Sequence, residues 1–173
     1  PNQAVRAGTP LVDLDDTATR NRLLVAQKTL GVARADLARS AGKAFSGGAD
    51  ITEFGKEDAY REPHLISVIQ QLDLSTKPVI AAIHSVCMGG GLELASACHI
   101  RVADESTFYA LPEGSRGIFV GGGGSVRIPK LIGVARMTDM MLTGRVYNAQ
   151  DGDRVGFAQY LVPAGQSLAK ALE

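Results

Sequence analysis

The stretch that most constrains the fold runs from Lys77 to Glu93 and reads KPVIAAIHSVCMGGGLE. Val79 to Ile83 is a short, continuous apolar run, bounded by Pro78 on one side and a turn-like segment on the other. That pattern fits a strand buried on both faces. Three glycines follow, Gly89, Gly90 and Gly91, and then Leu92, Leu94, Ala95 and Cys98 at helical spacing. The order is strand, glycine turn, helix. Glycines at a helix start leave backbone N–H groups uncovered at the positive end of the helix dipole. Such a corner holds a phosphate, a carboxylate or a developing oxyanion. Glu93 falls in the first helical turn. A carboxylate is out of place beside a bound phosphate. It suits a carbonyl that becomes an enolate, with Glu93 as acid or base.

Bulk properties narrow the function classes. The 173 residues suffice for one domain with a sizeable core. Lys plus Arg and Asp plus Glu each number 18, so no net charge points to nucleic acid or a membrane surface. No apolar run approaches the roughly 20 residues of a spanning helix, and the sequence, which starts at Pro1, shows no signal peptide. Cys87 and Cys98 alone make no disulfide framework, and a cytoplasmic compartment is the expectation. His64 and His99 stand isolated without metal-ligand spacing, so no metal is expected.

Along the chain, Leu11 to Leu14 predicts a short strand. Leu23, Leu30 and Leu37, with Ala26 and Ala33 between them, predict a helix with one apolar stripe. Ala41 to Phe54, AGKAFSGGADITEF, is small-residue-rich, with Gly47 and Gly48 permitting a tight turn and a close backbone approach. Leu65, Val68, Ile69 and Leu72 mark an amphipathic helix within 61–74. Strands are expected at Ile100 to Ala103 and Thr107 to Tyr109, then a second glycine turn from Gly117 to Gly124. Helices are expected over Ser125 to Ile132, through Val134, Met137, Thr138 and Met141, and from the Asn148 cap onward. Tyr160 to Val162 reads as a last strand before a final helix. Strands alternating with helices make the class α/β.

Two acidic residues stand out: Glu93, and Glu113 behind Pro112, ahead of the second glycine turn. A helix out and a strand back would return Glu113 to Glu93. Two carboxyls around one cavity position a water and deliver a proton. Spacing alone leaves open that both are solvated surface groups.

Four segments carry a resemblance. AGKAFSGGADI, KPVIAAIHSVCMGGGLELASACHIRVA, STFYALPEGSRGIFVGGGGSVRIPKLIG and MLTGRVYNAQDGDRVGFAQYLV resemble, in order and spacing, the four signatures of the crotonase superfamily, the enoyl-CoA hydratase/isomerase family. The resemblance covers 39–173 and implies a spiral of repeated ββα units binding an acyl-CoA thioester. It implies that the N–H groups of Ala49 and Gly90 form an oxyanion hole for the thioester oxygen. It implies Glu93 and Glu113 as catalytic acid/base residues, as in members that hydrate enoyl-CoA. Glu93 would activate the water and Glu113 supply the α-proton. On this reading the helix start lowers the pKa of Glu93, while apolar neighbours such as Phe108 and Leu111 raise that of Glu113. Ala44, Ser46, Asp50 and Ile51 would line the CoA adenine side, and Gly48, Met88, Gly89, Pro112 and Gly121 would complete the substrate-binding set. No cofactor is implied beyond coenzyme A as part of the substrate. A homotrimer or a dimer of trimers is the implied assembly.

Residues 1–38 match the family poorly, and the C-terminal trimerisation helices of relatives are expected beyond Glu173. Val120 stands where many relatives carry proline. Two rivals remain: a double-bond isomerase needing mainly one glutamate, and a non-catalytic acyl-CoA-binding subunit. His84 and Cys87 invite a Cys/His acyl-transfer reading, against the plainer one of structural residues at a strand end. Met137, Met140 and Met141 read as core filler. Gly121 to Gly124 is no P-loop, since no Gly-Lys-Ser/Thr follows, and Arg127 is a weak phosphate candidate.

Overall fold

The computed structural model describes residues 44–49, 54–56 and 64–173, together with the backbone of three strands, β1 (Pro10–Leu14), β2 (Asn21–Leu30) and β3 (Ala33–Ser40). After them come α1 (Leu65–Asp73), β4 (Val79–Ile83), β5 (Val86–Met88), α2 (Gly90–Ala97), β6 (Ile100–Asp104) and β7 (Phe108–Ala110). The rest is α3 (Gly124–Ile132), α4 (Val134–Thr143), β8 (Tyr147–Asn148), α5 (Ala149–Val155), β9 (Tyr160–Val162) and α6 (Ser167–Ala171).

The strands form two sheets. One has the order β1-β2-β3-β4-β6-β9, the other β5-β7-β8. The chain climbs by repetition. β4 enters the large sheet, β5 the small one, and α2 covers them; β6, β7 and α3 repeat the pattern. Successive units lie side by side in parallel register, Ile80 beside Ile100 in the large sheet and Met88 beside Ala110 in the small one. The architecture is the α/β class expected from the alternating elements and the spiral of ββα units that the resemblance implies.

The apolar run of β4 is explained by its two covered faces. Val79, Ala81 and Ile83 join the main core with Phe45, Ile69, Leu92, Leu94 and Ile128. Ala82, and beside it Ile80, face a second cluster with Val102, Ala171 and Leu168, where α6 closes the other side. Met140 is fully buried, with Met137 and Met141 packed against the core, as expected of filler.

The helix expected from Leu23, Leu30 and Leu37 is absent: the residues lie in β2 and β3, an antiparallel pair with Leu30 opposite Ala33. Gly31 sits between the second and third leucine, where a helix interior would lose about 1 kcal/mol relative to alanine. Val25 and Thr29 favour a strand. The segment after β4, read as a turn, holds the three-residue strand β5, too short for any periodicity to reveal. The two-residue strand β8 is likewise not among the expected elements. The helices and the remaining strands from α1 onward fall close to where the spacing put them, the Asn148 cap included: its side chain accepts from the Asp151 N–H at 2.7 Å.

Candidate active site

The site is assembled where residues 44–49 run alongside β5. Ser46 N–H donates to the Val86 carbonyl at 2.9 Å, and Met88 N–H donates to the Ser46 carbonyl at 3.1 Å. This bridge carries Gly48 and Ala49 to the first turn of α2. The approach is close enough to demand glycine. Gly48 has φ of 91°, and a Cβ there would stand 2.8 Å from the Gly90 nitrogen. A Cβ on Gly90 would stand 3.3 Å from the Ala49 nitrogen and 2.5 Å from Leu65 Cδ2. The backbone N–H groups of Ala49 and Gly90 therefore lie at one corner. Gly90 opens α2, so the helix supplies no acceptor for its N–H.

The two glutamates reach this corner by the repeat. β7 pairs with β5, and Gly89 N–H donates to the Ala110 carbonyl at 3.0 Å. Three residues past Ala110, Glu113 turns its carboxyl onto Gly89, where a Cβ would lie 2.7 Å from Oε1. Glu93 sits one turn into α2 and is held from the other side. Gly124 N–H donates to Glu93 Oε1 at 2.9 Å, and Cβ atoms on Gly122 or Gly124 would run into the same carboxyl. Both side chains are buried, at 4% exposure for Glu93 and 7% for Glu113. Glu113 Oε2 has no hydrogen-bond partner among the described residues.

Electrostatics corrects one expectation. The Glu93 pKa is raised, not lowered. Burial is the largest cause, and the Glu113 charge pushes the same way; the Gly124 and Gly122 N–H groups and Arg127 only partly offset them. The helix start is outweighed because the carboxyl is taken out of water. The Glu113 pKa is raised as expected, by burial first, against its own backbone N–H and Arg116.

Of the other expected substrate residues, Ala44 is buried, Ser46 forms the bridge and accepts from Gly48 N–H at 3.1 Å, and Met88 is half-buried beside it. Pro112 is half-buried ahead of Glu113. Gly121 is exposed, and among the described residues Phe119 alone lies within 4 Å of where its Cβ would be. Asp50 and Ile51 lie outside the described residues. The acyl-transfer reading of His84 and Cys87 loses its nucleophile. Cys87 is fully buried, and burial pushes its thiol far above the ordinary range, the wrong state for attack. The sequence reading overlooked Gly122 and Gly124 as holders of Glu93, and Gly91, where a Cβ would run into the Ser46 carbonyl. The glycine run itself was the available signal.

An open surface groove of about 360 Å³, lined by Arg136, Asp139, Arg145, Tyr147 and Asp151 among others, shares no residue with this corner. Its charges are largely paired, Arg145 with Asp139 at 3.1 Å and Arg154 with Asp151 at 2.5 Å.

A family model described as enoyl-CoA hydratase/isomerase matches residues 32–173. The chain belongs to the enoyl-CoA hydratase/isomerase family. It is 40% identical over 136 residues to a fatty acid oxidation complex subunit alpha of Shewanella amazonensis, covering 75% of this chain and 19% of that protein. It is 40% identical over 131 residues to a peroxisomal fatty acid beta-oxidation multifunctional protein of Arabidopsis thaliana, covering 72% of this chain and 18% of the other. The chain thus spans less than a fifth of the curated relatives it matches. Among solved structures, an enoyl-CoA hydratase from Bacillus anthracis superimposes with a TM-score of 0.73 at 34% identity, over 83% of this chain and 57% of that one. Among the described residues no helix is long and apolar enough to cross a membrane.

Proposed function

We propose that this chain hydrates trans-2-enoyl-CoA to 3-hydroxyacyl-CoA. The observation that carries the reading is the burial of two carboxyls, Glu93 and Glu113, beside the paired N–H groups of Ala49 and Gly90. The thioester oxygen accepts from those two N–H groups, which are fixed before the reaction and cost no reorganisation during it. Glu93, whose charged form is favoured by the Gly124 hydrogen bond, takes a proton from water as the oxygen attacks the β-carbon. The double-bond electrons pass to the thioester as an enolate. Glu113, whose Oε2 no donor among the described residues engages, supplies the proton to the α-carbon. One water is consumed, and the protons on the two carboxyls re-equilibrate before the next turn.

Coenzyme A enters as part of the substrate, with no separate cofactor. Similarity to a fatty acid oxidation complex subunit and to a fatty acid beta-oxidation multifunctional protein favours fatty acyl thioesters from β-oxidation as the source. Cytoplasmic work and a trimer or a pair of trimers belong to the same proposal; sedimentation tests the assembly.

The test is turnover of a short trans-2-enoyl-CoA, followed by loss of the conjugated-thioester absorbance, beside Glu93→Gln and Glu113→Gln. Each substitution is expected to lower kcat by about 10²–10⁴-fold. If one variant keeps full hydration, the two-carboxylate mechanism is wrong. If the thioester binds and no variant or parent hydrates it, the chain is an isomerase or a binding subunit.

A further inference from the structure

Glu93 owes its position to a loop, and the loop owes its position to an arginine. Glu93 accepts from Gly124 at the end of the Gly121–Gly124 run. That run has few side chains with which to fix itself: Gly123 takes φ of 97° as the cap of α3. Arg127, in the first turn of α3, folds back over it. Its backbone N–H donates to the Gly123 carbonyl at 3.0 Å. Its Nη1 donates to the Gly122 carbonyl at 3.3 Å and lies where a Cβ on Gly123 would stand. Its Nη2 pairs with Asp73 at the end of α1. The same helix contributes Ile69, which packs against Gly122 next to the Glu93 carboxyl. One guanidinium therefore joins α1, the glycine run and α3 around the carboxyl of α2.

We propose that Arg127 is a positioning residue for Glu93, bracing the glycine run against Asp73 so that the Gly124 and Gly122 N–H groups meet the carboxyl, and is not a contact for substrate phosphate. The proposal rests on the hydratase reading for its kinetic consequences. The charged groups that bear on Glu93 are Glu113 and Arg127, with Asp73 paired to Arg127 behind it. Arg127 opposes the rise of the Glu93 pKa and Glu113 adds to it. Arginine suits the brace because its planar fork serves a carbonyl and a carboxylate at once, which a lysine ammonium on a flexible stem does less well.

The experiment compares the full chain with Arg127→Met, Arg127→Lys, Asp73→Asn and the Arg127→Met/Asp73→Asn double variant. Substrates are a trans-2-enoyl-CoA and the matching pantetheine thioester, which lacks the nucleotide phosphates. In Arg127→Met, kcat is expected to fall about 10–100-fold, the cost of a misplaced catalytic group, with KM changed less than about twofold. The acid limb of kcat/KM moves to higher pH. Arg127→Lys returns the limb toward that of the parent while kcat stays reduced. Asp73→Asn loses less than Arg127→Met, and the double variant is no worse than Arg127→Met. A KM that rises for the CoA ester but not for the pantetheine ester overturns the proposal in favour of a phosphate contact. A lower Tm with an unmoved limb and unchanged kcat per folded molecule reduces Arg127 to a structural residue. Titration of the Glu93 carboxyl carbon by NMR needs no turnover. An upward move in Arg127→Met supports the brace even if the parent proves inactive, and an unmoved titration overturns it.

Discussion

At the scale of single residues, the site is built at the expense of stability. Glu113 is buried, and Oε2 finds no partner among the described residues, so ionising it in the fold is harder than in water. Its folded pKa lies above the unfolded one. Between those two values the folded chain binds more protons than the unfolded chain, so stability falls as pH rises. The contribution is fully present below the unfolded glutamate pKa of about 4.3 and is lost as pH climbs through the folded value. Glu113→Gln removes it. The variant is expected to melt no higher than the parent near pH 4 and increasingly above it toward pH 7, while losing hydration. Calorimetric Tm at several pH values checks this; a gap that widens toward acid would reverse the argument. Glu93 stays raised by burial in both proteins, but the variant also removes the Glu113 charge that adds to this rise, which widens the gap toward pH 7 in the same direction.

At the scale of elements, α2 is held against the 44–49 segment at a spacing only glycine tolerates. Gly91 has the Ser46 carbonyl where its Cβ would be. Gly91→Ala must move α2 or the bridge, at about 1–3 kcal/mol for overpacking. Because the same approach aligns the Gly90 and Ala49 N–H groups, kcat is expected to fall as well. Gly47→Ala is the control: its Cβ meets nothing within 4 Å among the described residues and its φ is ordinary, so the change stays within about 0.5 kcal/mol. Urea midpoints and kcat for the two variants decide the matter, and equal midpoints would refute the close-approach argument. Here the limits of reading sequence become physical. The run GGG before a helical pattern announces an N-terminal corner by local chemistry alone. Which glycine meets which carbonyl is a contact across some forty positions and leaves no local trace. Gly122 and Gly124 were visible as a turn, but their role as donors to Glu93 depends on α3 lying beside α2. The rise in the Glu93 pKa was missed for the same reason: the dipole is local, the burial is tertiary. The strands at 21–40 were lost to three leucines at heptad spacing, although Gly31 argued against the helix.

At the scale of the molecule, the repeated ββα units must stay in register for Glu113 to return to Gly89, and Arg101 ties them. It lies on β6 beside Ala81 and is only 5% exposed. Nη1 donates to the Cys98 carbonyl at 2.7 Å, at the end of the helix that begins the site. Nε donates to the Phe157 carbonyl at 2.8 Å, just after α5. Its own N–H and carbonyl are taken by Gln159, at 2.8 and 3.0 Å. Among the described residues it makes no ion pair, so the charge is compensated by carbonyls, one of them at the negative end of α2. Arg101→Met fits the buried stem but leaves both carbonyls without their donor. At about 1–3 kcal/mol for each group left unsatisfied, the variant is expected to lose about 2–5 kcal/mol in urea unfolding. Arg101→Lys, with one ammonium for two divergent carbonyls, falls between it and the parent. The loss is confined to the Cys98 and Phe157 links, so adding Gln159→Leu to Arg101→Met should subtract a further, separate amount. If Arg101→Met unfolds within about 0.5 kcal/mol of the parent, the two carbonyls find other donors, and the register of the spiral is kept by sheet pairing and core packing alone.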